Sequence, residues 1–246
     1  MLPSHGKLEC RACFQSTASD AMSPHPDWRI INDPGAWGST SPEVLVLGFS
    51  KGATQAGIYQ SGKFEDIAFA GMRPRLSQVL QAMKLLPLNE TADQRISDPN
   101  SNISFGSLIR CSVSRRDVKA SAKTGREVFA CTGPLISKSF SEIPDVIRTC
   151  TTRYLRDLPS SLRLVVFLGN TDSYVKRCQE LVQSLYPDTF SRVNQMAVKA
   201  DGRIWVHLAH PSGLNGHFND WLDTDLGPGL KRVQAEHAIA EAQPFI

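Results

Sequence analysis

The stretch Val206 to Trp221, V-H-L-A-H-P-S-G-L-N-G-H-F-N-D-W, decides how the chain is read. It opens inside Ile204-Trp205-Val206-His207-Leu208-Ala209, a short β-branched and aromatic run that suits a buried strand. The run breaks at His210-Pro211-Ser212-Gly213, where proline fixes φ and glycine permits a tight backbone. Asn215 then precedes an expected helix. A strand that passes through a polar loop into a helix is a unit of an open α/β sheet, and such sheets build their sites at the carboxyl ends of strands. An imidazole, a hydroxyl and a carboxamide gather there. A plainer reading, in which Ser212 and Asn215 only cap the helix, suits the same residues.

Working outward, Glu43-Val44-Leu45-Val46-Leu47-Gly48 reads as a central parallel strand, and Leu162 to Gly169 as the most apolar strand of the chain. Ile103 to Cys111 reads as a further strand, ending in a cysteine. Asn170 to Tyr186 is an expected helix, with Tyr174, Cys178, Leu181, Val182 and Leu185 on one stripe and Pro187 closing it. Cys150 to Leu158 also has helical spacing. Asp201-Gly202 reads as a hairpin turn between strands at Val193–Lys199 and Arg203–Ala209, and Asp225 to Ala242 as a C-terminal helix. Trp28 to Ser41 and Leu85 to Asn102 are expected to be loops, being rich in turn residues. Strands alternating with helices predict one domain over residues 1–246: a three-layer α/β/α sandwich around a central, mostly parallel sheet.

Composition narrows the function classes. A chain of 246 residues with 41% apolar content can bury one sizeable core. The net charge of +3 is compatible with nucleic acid without requiring it. The N-terminus lacks a signal-peptide pattern and no run is long enough to span a membrane, so a soluble, cytoplasmic monomer is expected. Six cysteines in a reducing compartment are free thiols or metal ligands rather than disulfides. Cys10 and Cys13 form a C-x-x-C pair, which serves a metal, a redox couple or simple burial. The loop Phe49 to Gly57 is glycine-rich but lacks the spacing of a phosphate-binding loop. Ser112 to Arg126 carries Arg115, Arg116, Lys119, Lys123 and Arg126. It reads as a solvated loop that could also touch phosphates.

His210-Pro211-Ser212-Gly213-Leu214-Asn215 resembles the second signature of the uracil-DNA glycosylase superfamily, and the loop after Gly48 stands where that superfamily has its first. Ala68-Phe69-Ala70-Gly71, followed by Leu76 and Val79-Leu80, resembles a segment of the iron–sulfur members, in which the phenylalanine stacks on the flipped base. Ser107-Leu108-Ile109-Arg110-Cys111 matches their Asn-Val-Val-Lys-Cys, with serine in place of the base-reading asparagine. The resemblance implies four thiolate ligands, Cys10, Cys13, Cys111 and Cys150, for a [4Fe–4S] cluster, with zinc as the competing occupant. Cys131 falls in an apparent basic insertion at about 112–149, and Cys178 in a helix.

The resemblance further implies a DNA glycosylase. His210 would donate to the base oxygen as it becomes anionic, and Gly48, Phe69 and Ser107 would hold the base. Ser212, Asn215, Arg115 and Arg116 would contact the DNA backbone, and Leu214 would fill the hole left by the base. The family's water-positioning glutamate corresponds to Phe49, so the Phe49 carbonyl or a carboxylate such as Asp66 would take that role. Small residues at Ser107, Gly106 and Ala53 suggest a modified or enlarged pyrimidine. Repair is the default role for such an enzyme, and restriction of foreign DNA carrying modified bases is another. The alternative keeps the fold without catalysis, as a cluster-bearing DNA-binding or damage-sensing module.

Overall fold

The computed structural model describes residues 1–131, 133–223 and 225–242. Its first part contains β1 (Gly6–Lys7), β2 (Ala21–His25), β3 (Trp28–Ile31), β4 (Gly35–Ala36), β5 (Val44–Gly48) and α1 (Ala53–Ser61). A 3₁₀ turn at Phe64–Asp66 leads to α2 (Arg73–Ala82), α3 (Ala92–Ser97), β6 (Ile103–Ser107), β7 (Ser112–Arg116), α4 (Val118–Thr124) and β8 (Phe129–Ala130). Then come α5 (Gly133–Glu142), α6 (Pro144–Leu155), β9 (Leu164–Leu168), α7 (Asp172–Leu185) and β10 (Ser191–Arg192). The chain closes with β11 (Ala197–Ala200), β12 (Arg203–Leu208), α8 (Phe218–Asp223) and α9 (Pro228–Ala242).

The four apolar runs become the parallel strands of a six-stranded sheet of order β10-β11-β12-β9-β5-β6. Every residue of β5, β6, β9 and β12 is buried, as expected of strands covered on both faces. Alternate residues serve two separate cores. Val44, Val46, Val166, Val206 and Leu208 pack with Leu76, Val79 and Leu80 of α2 and Ala235 and Ile239 of α9. Leu45, Leu47, Val165, Phe167 and Trp205 face the other way, against Val146 and Ile147 of α6 and Tyr174, Cys178 and Val182 of α7. This is the three-layer α/β/α arrangement. Asp201 and Gly202 both have positive φ (52° and 71°), the backbone of the tight hairpin that joins β11 to β12.

Three segments differ from their sequence reading. Trp28–Ser41 is not all loop: β3 buries Trp28 and Ile30 while Arg29 points outward, an in–out alternation masked by the surrounding prolines and glycines. Leu85–Asn102 includes α3, begun by a capping box between Thr91 and Gln94 and anchored by buried Ala92 and Ile96. Ser112–Arg126 is strand and helix rather than a solvated loop. Residues of β7 pair with β3 from Trp28↔Arg115 to Ile31↔Ser112, completing a second sheet of order β2-β3-β7-β8. Asp117 then caps α4 by accepting from the Ala120 N–H, and Gly125 ends it in the left-handed region. No described helix is long and apolar enough to cross a membrane.

An ion cluster ties the second sheet to α5. Arg115 donates to Glu142 through Nε at 2.7 Å and Nη2 at 3.1 Å, and also to Asp27 at 3.1 Å. Arg116 holds the other oxygen of Asp27 at 2.9 Å, and Trp28 Nε1 donates to Glu142 at 2.7 Å. The Arg115 hydrogen bond holds the Glu142 carboxyl down at about 2. Because the folded value lies below the ordinary 4.5, the stabilisation is present above about pH 4.5 and is lost as pH falls toward 2. Urea midpoints taken between pH 5 and pH 3 should therefore drop less for Glu142→Gln than for the parent. Parallel pH profiles would discount this account of the cluster.

Candidate functional site

β5 ends at Gly48, directly opposite Ser107 on β6, and β12 ends at Leu208, whose carbonyl accepts from the Gly169 N–H at 2.8 Å. His210, Gly48 and Ser107 thus leave the sheet at the same edge. Only β9 separates β12 from β5, and strands spaced at about 4.8 Å put the two about 10 Å apart. Phe69 lies at φ 53°, a conformation that costs a non-glycine residue about 1–3 kcal/mol. Its ring sits against Gly48, where a Cβ would stand 3.4 Å from Cε1, and edge-on to Phe105 at 6.1 Å. Arg73 Nε donates to the Ala68 carbonyl at 2.8 Å, holding this turn to α2. Two residues on, Arg75 donates to the Ser212 carbonyl at 2.7 Å while its guanidinium lies 4.5 Å from the Phe218 ring centre. The first turn of α2 therefore stitches the Phe69 wall to the His210 loop.

The loop holds its own shape. Ser212 N–H donates to His210 Nδ1 at 3.2 Å, and Asn215 Nδ2 donates to the His210 carbonyl at 3.0 Å. Ser212 Oγ accepts from the Leu214 N–H at 3.1 Å, and Asn215 Oδ1 from the His217 N–H at 3.2 Å. Burial lowers the His210 pKa below 6.5, so the ring is neutral at pH 7. With Nδ1 accepting, the proton of that neutral ring is on Nε2, which is then a donor. The Ser212 and Asn215 side chains are engaged within the loop rather than as caps of α8, which begins at Phe218. Leu214 stands at its tip, 88% exposed.

The remaining residues of the expected site divide. Ser107 is buried and its hydroxyl donates to the Ile109 carbonyl at 2.8 Å. The Phe49 ring turns into the opposite core, 6.5 Å from Phe140, and its carbonyl already accepts from the Ile109 N–H at 2.9 Å. Asp66 ends the 3₁₀ turn three residues before Phe69, exposed and without an ion pair among the described residues. Arg115 and Arg116 are bound by Asp27 and Glu142, and Arg115 is buried. The expectation of a phosphate contact by Arg115 is thereby corrected. Gly106 does not widen a base pocket, because the Arg110 guanidinium fills the space over it. Ala53 lines a different groove, against β7 and β8.

Cys10, Cys13, Cys111 and Cys150 line one cavity together with Arg110 and Tyr154. Cys131 lies apart, its Sγ 3.4 Å from Ser50 Oγ, and Cys178 is on the buried face of α7. Phe14, fully buried, anchors the turn that carries Cys10 and Cys13, and Arg110 N–H donates to Cys150 Sγ at 3.2 Å. Burial pushes the thiols of Cys111 and Cys150 up, to about 12 and about 11. Arg110 is itself buried, with its guanidinium 5.2 Å from the Tyr154 ring centre, and Nε has no hydrogen-bond partner among the described residues. Lys51 is buried too, donating to the Arg110 carbonyl and lying 3.5 Å from Asp33. Asp33 accepts from the Ser112 N–H at 2.6 Å and its hydroxyl at 2.5 Å. Lys51 is thus paired with a buried carboxylate, whereas Arg110 makes no ion pair among the described residues and lies beside Cys150 and Tyr154. Buried charge without a counter-charge is costly, so this region calls for an anion. No three histidine, cysteine or acidic side chains among the described residues converge as ligands of a single metal ion.

Lys51 and Asp33 escape a sequence reading. They sit in stretches that look like surface turns, and only the fold buries them against each other. Arg75 also escapes, because nothing in α2 marks one arginine as the bridge. No protein-family model matches the chain, and no curated protein matches it significantly.

Glycine to alanine within a strand ordinarily stabilises by about 0.4–1 kcal/mol where the backbone allows it. At Gly106 a Cβ would fall 2.0 Å from Arg110 Nη1. Gly106→Ala should instead cost about 1–3 kcal/mol through overpacking, read as a lower denaturation midpoint. An unchanged midpoint would contradict the packing described.

Proposed function

We propose that this chain is a DNA glycosylase that extrudes a modified or deaminated pyrimidine nucleotide and hydrolyses its N-glycosidic bond. The observation that carries the reading is His210: a neutral, half-buried imidazole with Nδ1 fixed as acceptor, in a braced loop at the strand end shared with Gly48 and Phe69. Breaking a base–sugar bond places negative charge on the departing base, and a fixed donor in a water-poor site stabilises that charge without transferring its proton. His210 Nε2–H supplies that donor. Phe69 gives the base an aromatic face, worth roughly 1–3 kcal/mol per stacked base. Leu214, held out at the loop tip, fits the role of the wedge that fills the vacated stack.

The water would be held by Asp66, exposed and without an ion pair among the described residues, or by the second lone pair of the Phe49 carbonyl, whose first accepts from the Ile109 N–H. Ser107 offers no asparagine-like donor–acceptor pair, since its hydroxyl is bonded to the Ile109 carbonyl. That supports a substrate other than uracil alone, with the small size of Ser107 as the feature that admits it. The DNA partner enters with the same proposal.

The four thiols and the excess buried positive charge fit a thiolate-held [4Fe–4S] cluster, with Cys10, Cys13, Cys111 and Cys150 as its ligands. A four-iron cluster suits thiols spread around a cavity better than a single zinc ion, whose ligands close in to about 2.3 Å. Bound there, such a cluster would crosslink the N-terminal tail to the end of β6 and to α6.

Release assays on oligonucleotides carrying uracil, other deaminated bases and 5-substituted cytosines test the reading. Release from at least one modified base is expected. His210→Ala should slow it about 10²–10³-fold while DNA binding persists. If the parent releases none of these bases yet binds DNA, the non-catalytic module is the correct reading.

A further inference from the structure

A cavity of about 300 Å³ opens between α1 and the outer face of the second sheet, away from the hydrophobic core. Strand register builds that face: Arg29 is opposite Ser114, and Phe129 is opposite Arg116. Arg29 is exposed and makes no hydrogen bond or ion pair among the described residues. Phe129 is half-buried and makes no ring contact among them. The lining includes Lys51, whose Nζ is turned toward Asp33, but no aspartate or glutamate among the described residues. The start of α1 forms the opposite wall. Gly52 has no side chain to cap the amides of the first turn, although Gln55 Oε1 accepts from the Gly52 N–H at 3.2 Å; no acidic residue lies in that turn, and Gly52, Ala53 and Gly57 leave its backbone open to the cavity. The exposed Lys119, Lys123 and Arg126 of α4 and its following turn lead directly into β8.

A free guanidinium, uncapped helix amides, a serine hydroxyl and an unpartnered aromatic ring, with no competing carboxylate, together suit an anion joined to a flat ring. The volume is at the lower end of the roughly 300–1,000 Å³ typical of small-ligand sites. It admits one nucleotide and excludes a duplex. We propose that this groove binds one nucleotide of a single DNA strand, with its base on Phe129 and its phosphate between Arg29 and the start of α1. The proposal rests on the reading that the chain acts on DNA. The loop from Gly48 to Ala53 has one end at the Phe69 wall and the other in this groove, so the bound nucleotide would flank the extruded one.

The test uses the full chain and a labelled single strand of adenine and unmodified cytosine, which carries no modified or deaminated pyrimidine, followed by anisotropy at several salt concentrations. Gly57→Glu puts a carboxylate into the groove where a Cβ would meet nothing within 4 Å. It should weaken binding about tenfold. Arg29→Ala should weaken binding and lower the salt slope by about 0.7, the value for one phosphate on a single strand. Phe129→Ala should weaken it about five- to hundredfold. Leu88→Glu, an equal charge on an exposed residue elsewhere, should bind like the parent. If Phe129→Ala fails to fold, the other two variants decide. Parent-like binding by both, or a parent that does not bind the strand, overturns the groove. Base release is measured separately: groove variants that bind normally while the parent still excises a base would leave the enzyme reading standing. Weakened binding in these variants with no release from any base would leave the groove standing alone.

Discussion

The arrangement of this molecule depends on positive charge buried beside sulfur. Arg110, just past the end of β6, and Lys51, in the loop after β5, are taken out of water; Asp33 faces Lys51, while Arg110 lies beside Cys150 and Tyr154 and makes no ion pair among the described residues. Their surroundings are arranged to tolerate this. Gly106 gives the guanidinium room, Gly35 and Tyr154 offer a carbonyl and a ring face, and Ser112 turns both donors toward Asp33. The segments so joined are remote in sequence: the N-terminal tail, the loop after β5, the β6–β7 junction and α6. An anionic occupant among the four thiols would complete the balance, and the polar contacts already present align the walls for it.

The same junction sets the geometry of the neighbouring strand ends on that edge of the sheet. The loop leaving Gly48 is clipped to β6 through the Leu108 and Ile109 amides, and Lys51 within it reaches back to the Arg110 carbonyl. The Phe69 wall rests on Gly48, and α2 carries the connection onward to Ser212 through Arg75. One continuous series of packed and hydrogen-bonded groups therefore runs from the thiol cavity to the imidazole.

Much of the central layer was legible in the sequence, because strands covered on both faces read as unbroken apolar runs and the turns between them are chemically marked. The four apolar strands, α7, α9 and the Asp201-Gly202 turn follow from those signals. The second sheet was not legible. Its strands bury only alternate residues, as Trp28-Arg29-Ile30 does, and they lie among prolines or charges that mimic loop. Charges in β7 look solvated until their partners, Asp27 and Glu142, arrive from distant segments. At the site, spacing marks only the Cys10–Cys13 pair, and Cys111 and Cys150, which line the same cavity, are selected by the family resemblance alone. The engagement of Ser107, Ser212 and Asn215 with nearby backbone was not legible, since residue type alone leaves a polar side chain equally free to bind outward or inward.

The self-bonded loop from His210 to His217 has a kinetic consequence. Its conformational entropy is lost when the protein folds, through side chains that satisfy neighbouring amides, so little ordering remains for the moment of encounter. Under the proposed function, the DNA would meet a preformed prong with Leu214 at its point rather than a segment that must be recruited. On that proposal the slow event in recognition would lie in the deformation of the DNA, and selectivity would follow how readily a given target yields.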